Sequence, residues 1–112
     1  MSAYTRAELC AVAIAEAFRD DGEVLVSPIG NLPQIGARLA KLTFAPDLLL
    51  TDGVAFLMED VAPVGVAAAP GVVAGYMPYR SVFDVVWAGR RHVMMGATPV
   101  DRFGDQHISC IG

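Results

Sequence analysis

The chain has 112 residues, 54% of them apolar and 18% charged, with twelve acidic residues against eight basic ones and a net charge of −4. Soluble domains average about 45–50% apolar and about 25% charged, so one core is within reach, and the apolar excess points to a face covered by a partner subunit or by further chain. Disorder and collagen-like order are excluded by the apolar content and the lack of a glycine period, and nucleic-acid binding is disfavoured because no basic run extends beyond Arg90-Arg91.

Thr5-Arg6-Ala7-Glu8 has the T-x-x-E form of a capping box and opens a helix. Cys10, Ile14, Ala17 and Phe18 follow at helical spacing and predict its apolar face, and Asp20-Asp21-Gly22 ends it. Glu23–Ser27 reads as a short strand whose continuously apolar centre suits a sheet covered on both faces. Pro28-Ile29-Gly30-Asn31 reads as a turn, and Pro33 suits the first turn of a second helix. Ile35, Leu39 and Leu42 are predicted to form that helix's buried face, with Arg38 and Lys41 outside, before Ala45-Pro46 stops it.

Asp47–Thr51 is a second buried strand, Asp52-Gly53 a turn, and Val54–Met58 a third strand. Ser81-Val82-Phe83-Asp84 has the form of a second capping box, opening a helix through Trp87 that Gly89 closes. His92–Met95 and Gln106–Ile111 read as further strands around a turn at Asp101–Asp105. The rhythm is that of an α/β domain with a mainly parallel sheet. Ile108 and Cys110 begin an apolar stretch just before Gly112, which leaves the expected sheet open at that edge.

Val61–Tyr79 carries no charge and approaches the length needed to cross a bilayer of about 30 Å. Pro63, Pro70 and Pro78, interleaved with Gly65, Gly71 and Gly75, would break such a helix repeatedly, and lipid replaces none of the lost hydrogen bonds. It reads instead as an irregular crossing packed on protein. Arg6, Glu8 and Glu16 interrupt any signal-peptide core, and Cys10 and Cys110 show no disulfide or metal spacing, so a reducing cytoplasm is expected.

Three places carry candidate chemistry. Gly30-Asn31 joins a strand to a helix start, where free amides favour an anion; a plain tight turn is the competing reading. Thr51-Asp52-Gly53 lies at the carboxyl end of a buried strand, where ligands gather in open α/β sheets, although Asp-Gly is also a common turn. Asp101-Arg102-Phe103-Gly104-Asp105 places two acids around a cation, which composition alone reads as an internally paired turn. His92 and His107 lack a third ligand at useful spacing, so no metal is expected. His107 and Cys110 point to opposite faces of a strand and make a poor nucleophile–base pair.

Gly30-Asn31-Leu32-Pro33-Gln34 through Leu39-Ala40-Lys41-Leu42-Thr43-Phe44-Ala45-Pro46-Asp47 resembles the G-x-x-L-P…L-A-K-x-T-x-A-P-[ND] run of family I CoA-transferase beta subunits of the glutaconate type. Gly96-Ala97-Thr98-Pro99-Val100-Asp101-Arg102-Phe103-Gly104-Asp105 is similar to that family's G-A-x-Q-V-D-[RK]-[YF]-G-[ND] signature. Three further runs, Leu50–Gly53, Tyr76–Tyr79 and Trp87–His92, resemble a branch of the family: beta subunits of actinobacterial hydrolases that open steroid-derived rings.

The resemblance implies a three-layer α/β fold around an open, mainly parallel sheet. It also implies that residues 1–112 are the N-terminal portion of one domain, since the family's beta subunits continue with a Gly-rich stretch. Transferases of the family attack the thioester with a glutamate, and here Thr51 stands at that position. The branch that adds water across a β-diketone of a CoA thioester needs no such glutamate on this subunit, because its key carboxylate is on the alpha partner.

What the resemblance implies is therefore the beta subunit of a hydrolase acting on steroid-derived CoA thioesters of cholesterol catabolism, with CoA entering as part of the substrate and no separate cofactor. An acyl-CoA:carboxylate CoA-transferase subunit and a truncated, non-catalytic partner-binding paralogue are the competing readings. Gly30, Asn31 and Gly53 would line the acyl-CoA cleft, Asp52 would orient a polar group, and Asp101 and Arg102 would hold the neighbouring loop. Pro99 in place of Gln, and His107 in place of Asn, are the departures at that loop. The implied partner is the alpha subunit in a hetero-oligomer, with no nucleic acid and no membrane.

Overall fold

The computed structural model describes residues 3–52, 55–66, 72–96 and 99–107. The elements run α1 (Arg6–Glu16), β1 (Leu25–Ile29), α2 (Asn31–Thr43), β2 (Leu49–Thr51), β3 (Phe56–Met58), β4 (Val73–Tyr76), α3 (Tyr79–Trp87) and β5 (Arg91–Met95). The capping box at the start of α1 is formed: the Thr5 amide donates to Glu8 Oε2 at 2.6 Å and the Glu8 amide donates to Thr5 Oγ1 at 3.2 Å.

The five strands form one sheet in the order β4-β3-β2-β1-β5. β1 pairs parallel with β2 and β5, whereas β3 and β4 add on as antiparallel strands, so the parallel part lies at β2–β1–β5 and the sheet as a whole is mixed. β1 is two residues longer at its carboxyl end than the sequence suggests, so Pro28 and Ile29 belong to the strand and the turn is confined to Gly30. Pro28 is tolerated because β2 pairs only with Leu25 and Val26; its missing amide falls beyond that ladder.

Alternation along the strands separates two faces. Val26, Leu50 and Met58 join Ala15, Phe18, Ala37 and Ala40 in the main core beneath α1 and α2. Leu25, Ser27, Leu49, Thr51 and Leu57 line the other face, in register with Arg91 and Val93. There α3 is tied on by Arg91, whose Nη1 donates to Val82 O at 3.5 Å. An apolar groove of about 450 Å³ remains between α3 and the sheet, lined by Leu25, Leu49, Leu57, Met77 and Val85.

The helix faces differ from the periodicity reading. α2 buries Pro33, Gly36, Ala37 and Ala40, while Ile35 is exposed and Leu42 keeps 67% of its surface. α1 likewise buries Ala11 and Ala15, with Cys10 half-buried and Ala17 exposed. Close approach of the two helices selects small residues: a Cβ on Gly36 would overlap Ile14. Arg38 and Lys41 are half-buried rather than outside. Lys41 Nζ donates to Leu48 O at 2.7 Å and to Pro46 O at 3.1 Å, closing the α2–β2 connection.

Other boundaries shift. β2 and β3 are shorter than predicted, and Val54 lies outside the described residues. The apolar Pro/Gly stretch contains a strand, β4, that its composition concealed. α3 begins two residues before Ser81, with Pro78 as its N-cap and no side-chain cap, so the second capping box is not formed. Gln106 makes an isolated bridge to Val100, and the rest of the expected final strand, from residue 108, lies outside the described residues. Among the described residues no helix is long and apolar enough to cross a membrane.

Candidate functional site

Because β1, β2 and β5 run parallel, their carboxyl ends share one edge of the sheet. That edge carries Gly30 and Asn31 after β1, Thr51 and Asp52 at the end of β2, and Gly96 after β5, the usual place for ligands in such sheets. Gly30 caps α2 with a φ of 102° that L side chains rarely adopt, and Asn31 is the first residue of that helix. Gly30, the N-cap, offers no side chain to this helix start. Gly53 lies outside the described residues.

Thr51 does not face solvent. It is 1% exposed, and its Oγ1 donates to Ser27 Oγ, itself 2% exposed, at 3.3 Å. Ser27 Oγ also accepts from Arg91 Nη2 at 2.6 Å. Burial lowers the Arg91 pKa from its ordinary value. The hydroxyl at the transferase-glutamate position is thus held inside a polar cluster that binds β1, β2 and β5 together. An attacking group needs a path to substrate and a base to take its proton, and this burial denies Thr51 the path.

Asp52 is exposed and orders the β2–β3 turn. Its Oδ1 accepts the amides of Ala55 at 3.0 Å and Phe56 at 3.1 Å, and its own amide donates to Phe56 O at 3.0 Å. The turn reading therefore holds in structure, while the carboxylate remains at the strand-end edge.

Asp101 organises the turn that follows β5. Its Oδ1 accepts the amides of Phe103 at 2.8 Å and Asp105 at 3.0 Å, and Oδ2 lies 3.4 Å from His107 Nε2. The amides of Asp105 and Phe103 hold the Asp101 carboxyl below its ordinary pKa. The acid's side-chain partner is therefore His107 and not Arg102, whose guanidinium lies over the Phe103 ring at 4.6 Å. Among the described residues, no hydrogen bond or ion pair joins this turn to Gly30, Asn31 or Asp52. No group of three or more His, Cys, Asp or Glu among the described residues is placed to hold a metal.

Sequence reasoning missed Ser27, Arg91 and Arg38. Arg38 Nε donates to Ala62 O at 2.7 Å and Nη1 to Gln34 O at 3.1 Å, fixing the loop after β3 against α2. Burial lowers its pKa as well. The Arg90-Arg91-His92 run was the one available signal for the first cluster; nothing local marks Arg38.

No protein-family model matches the chain. It is 56% identical, over 96% of its length, to the cholesterol ring-cleaving hydrolase IpdB subunits of Mycobacterium tuberculosis and Rhodococcus jostii. It spans 43% and 42% of those relatives' own lengths. The crystal structure of Rhodococcus jostii IpdAB matches with a TM-score of 0.83 and 52% identity, covering 99% of this chain and 44% of that one. Glutaconate coenzyme A-transferase from Acidaminococcus fermentans matches with a TM-score of 0.64 and 27% identity, covering 98% of this chain and 45% of that one.

The chain is similar to CoA-transferase-type subunits in both sequence and fold. The resemblance that the Gly30–Asp47 and Gly96–Asp105 runs carry is thereby supported from both sides, and the mixed five-stranded sheet is the α/β architecture of those neighbours.

Proposed function

We propose that this chain is the N-terminal part of an IpdB-like beta subunit, acting with an alpha-type subunit in the cytoplasm to open a steroid-derived ring of a CoA thioester by hydrolysis. The observation that carries the reading is the pairing of 56% identity to IpdB subunits with a buried Thr51, bonded to Ser27, where a transferase would present a glutamate. In such a hydrolysis water adds to one carbonyl of a β-diketone. The C–C bond then breaks, and its electron pair becomes an enolate on the other carbonyl that is finally protonated. CoA enters as part of the substrate, with no further cofactor.

In this reading Gly30, Asn31 and Gly53 line the acyl-CoA cleft. Asp52 orients the substrate or the water without attacking, and Asp101 and Arg102 keep the loop after β5 in place. The alpha-type subunit supplies the remaining chemistry and covers part of the open α3 side of the sheet.

The test co-expresses the chain with an alpha-type subunit and follows ring hydrolysis of a steroid-derived CoA thioester, with CoA transfer to acetate as the competing reaction. Hydrolysis without transfer is expected. Asp52→Asn keeps an acceptor for the Ala55 and Phe56 amides, so melting temperature should hold while turnover falls about a hundredfold, or about 2–4 kcal/mol for losing one charged contact to a transition state. Transfer without hydrolysis overturns the reading, and unchanged turnover in Asp52→Asn returns Asp52 to a turn residue.

A further inference from the structure

α3 turns Ser81, Val82 and Val85, all half-buried, toward the sheet. Its far side carries Tyr79, Phe83 and Trp87, which keep 63%, 74% and 94% of their surface. These three rings are four residues apart and so share one face. They form an i±4n ridge, the kind that interdigitates in the commonest class of helix packing. The spacing is also symmetrical: α3 spans Tyr79–Trp87, Phe83 is its midpoint, and the other two rings stand four residues to either side. Arg80 and Asp84, both exposed, lie along one flank of the ridge at the same spacing. Neither enters an ion pair among the described residues.

A two-fold axis passing Phe83 at right angles to the helix sets two copies of α3 antiparallel. Phe83 then meets Phe83 of the second copy, and Tyr79 meets Trp87. The axis keeps the charged flanks of both copies on the same side. At about 1.5 Å of rise per residue, Arg80 of one copy falls only about 3 Å along the axis from Asp84 of the other, twice per interface. The ridge is thus complementary to itself in both shape and charge, which is what an isologous contact requires. An aromatic side chain buries about 150–250 Å², so the exposed parts of the three rings offer roughly 450 Å² per copy. With Val86 beside them, two copies together approach about 1,000 Å², the lower limit of a specific interface.

We infer that the outward ridge of α3 docks a second copy of this chain, as a two-fold dimer centred on Phe83 with Arg80 and Asp84 paired across it. The dimer is weak and reversible, as its area dictates. It goes beyond the hydrolase reading and does not rest on it. A copy seated on the outward ridge leaves the groove between α3 and the sheet open.

Sedimentation equilibrium over a range of concentrations tests this, together with the emission of Trp87, the one tryptophan of the chain. A monomer–dimer equilibrium is expected, with emission moving to the blue as dimer forms. Trp87→Ser should weaken the dimer about tenfold or more, the loss of a central aromatic anchor. Arg80→Asp and Asp84→Arg each set like charges against one another across the axis and should also weaken it about tenfold. Mixing these two variants in equal amounts restores opposite charges at both contacts, so the mixed dimer should regain the native affinity. That recovery also shows that neither variant has lost its fold. A chain that is monomeric throughout overturns the proposal, as does open-ended association with no discrete dimer. It is equally overturned by a dimer that Trp87→Ser leaves unchanged, or by a mixture no tighter than its separate components. A monomer whose Trp87 emission shifts only on adding an alpha-type subunit, or the remaining length of an IpdB subunit, gives the ridge to that partner and overturns it too.

Discussion

Beneath α1 and α2, Val26 and Leu50 are all but completely buried, and the helices approach closely enough to require Gly36 and Ala37 between them. On the α3 side, Ile29, Val93 and Met95 remain exposed, and Phe83 and Trp87 on the helix itself keep 74% and 94% of their surface. Both faces are apolar, so hydrophobicity alone does not distinguish them. What differs is closure: one face is packed to the density of a core, while the other carries an open groove and an outward row at Tyr79, Phe83, Val86 and Trp87. Exposed apolar surface of this kind marks an interaction surface. The closed core of this chain therefore lies on the α1/α2 side of the sheet, and the α3 side of the sheet is left open.

Substitutions that respect or violate this division can break it. The largest effect is expected for Gly36→Val, whose Cβ would overlap Ile14; overpacking of this sort costs about 1–3 kcal/mol, and a branched side chain lies at the upper end. Urea unfolding measures it, and a loss below about 0.5 kcal/mol, the range of surface substitutions, would show that α1 and α2 are not tightly packed. Thr51→Val keeps the shape and removes a buried hydroxyl bonded to Ser27, at a cost of about 1 kcal/mol. In the proposed reading Thr51 does not attack, so the chain assembled with an alpha-type subunit should keep its turnover. Mass spectrometry of acid-quenched enzyme taken during turnover should find no acyl adduct in the 48–53 peptide, and an adduct on Thr51 that hydroxylamine removes would refute the assignment.

Trp87→Ser should change the unfolding free energy of the chain by no more than about 0.5 kcal/mol, since the indole is almost wholly exposed, yet weaken self-association and binding to an alpha-type subunit. Equal loss in both measurements would mean that α3 belongs to the same core as α1 and α2. The smallest effect concerns Asp101. Its pKa is depressed in the folded turn by the Asp105 and Phe103 amides, so its contribution is present above the ordinary carboxylate range and is lost as pH falls through the lowered folded value. Amide resonances of residues 99–107 should disperse above that range and collapse below it. Asp101→Asn should remove the pH dependence, and persistence of the transition in that variant would assign it to another group.

The parts of this division that the sequence made legible are the ones written in local chemistry. Thr5 and Glu8 announced α1, and the apolar runs at Leu25-Val26 and Leu49-Leu50 announced the buried strands. Asp52 was legible as a turn residue because Asx side chains bond amides within a few positions. The buried face of α2 was not legible: apolar periodicity favours Ile35 and Leu42, whereas the distance between two helices favours Gly36 and Ala40. β4 was hidden by the proline and glycine around it, since its pairing with β3 is a property of the sheet and not of its own composition. Arg38 and Arg91 find their partners, Ala62 O and Ser27 Oγ, only after the chain has folded back, so neither contact has a local signature.

Light scattering coupled to size exclusion, on the chain alone and co-expressed with an alpha-type subunit, tests the division most directly. The chain alone should self-associate through the α3 side, and the co-expressed pair should elute as one discrete hetero-oligomer with α3 protected from hydrogen exchange. A well-behaved monomer that unfolds cooperatively, and that ignores the alpha-type subunit, would contradict it.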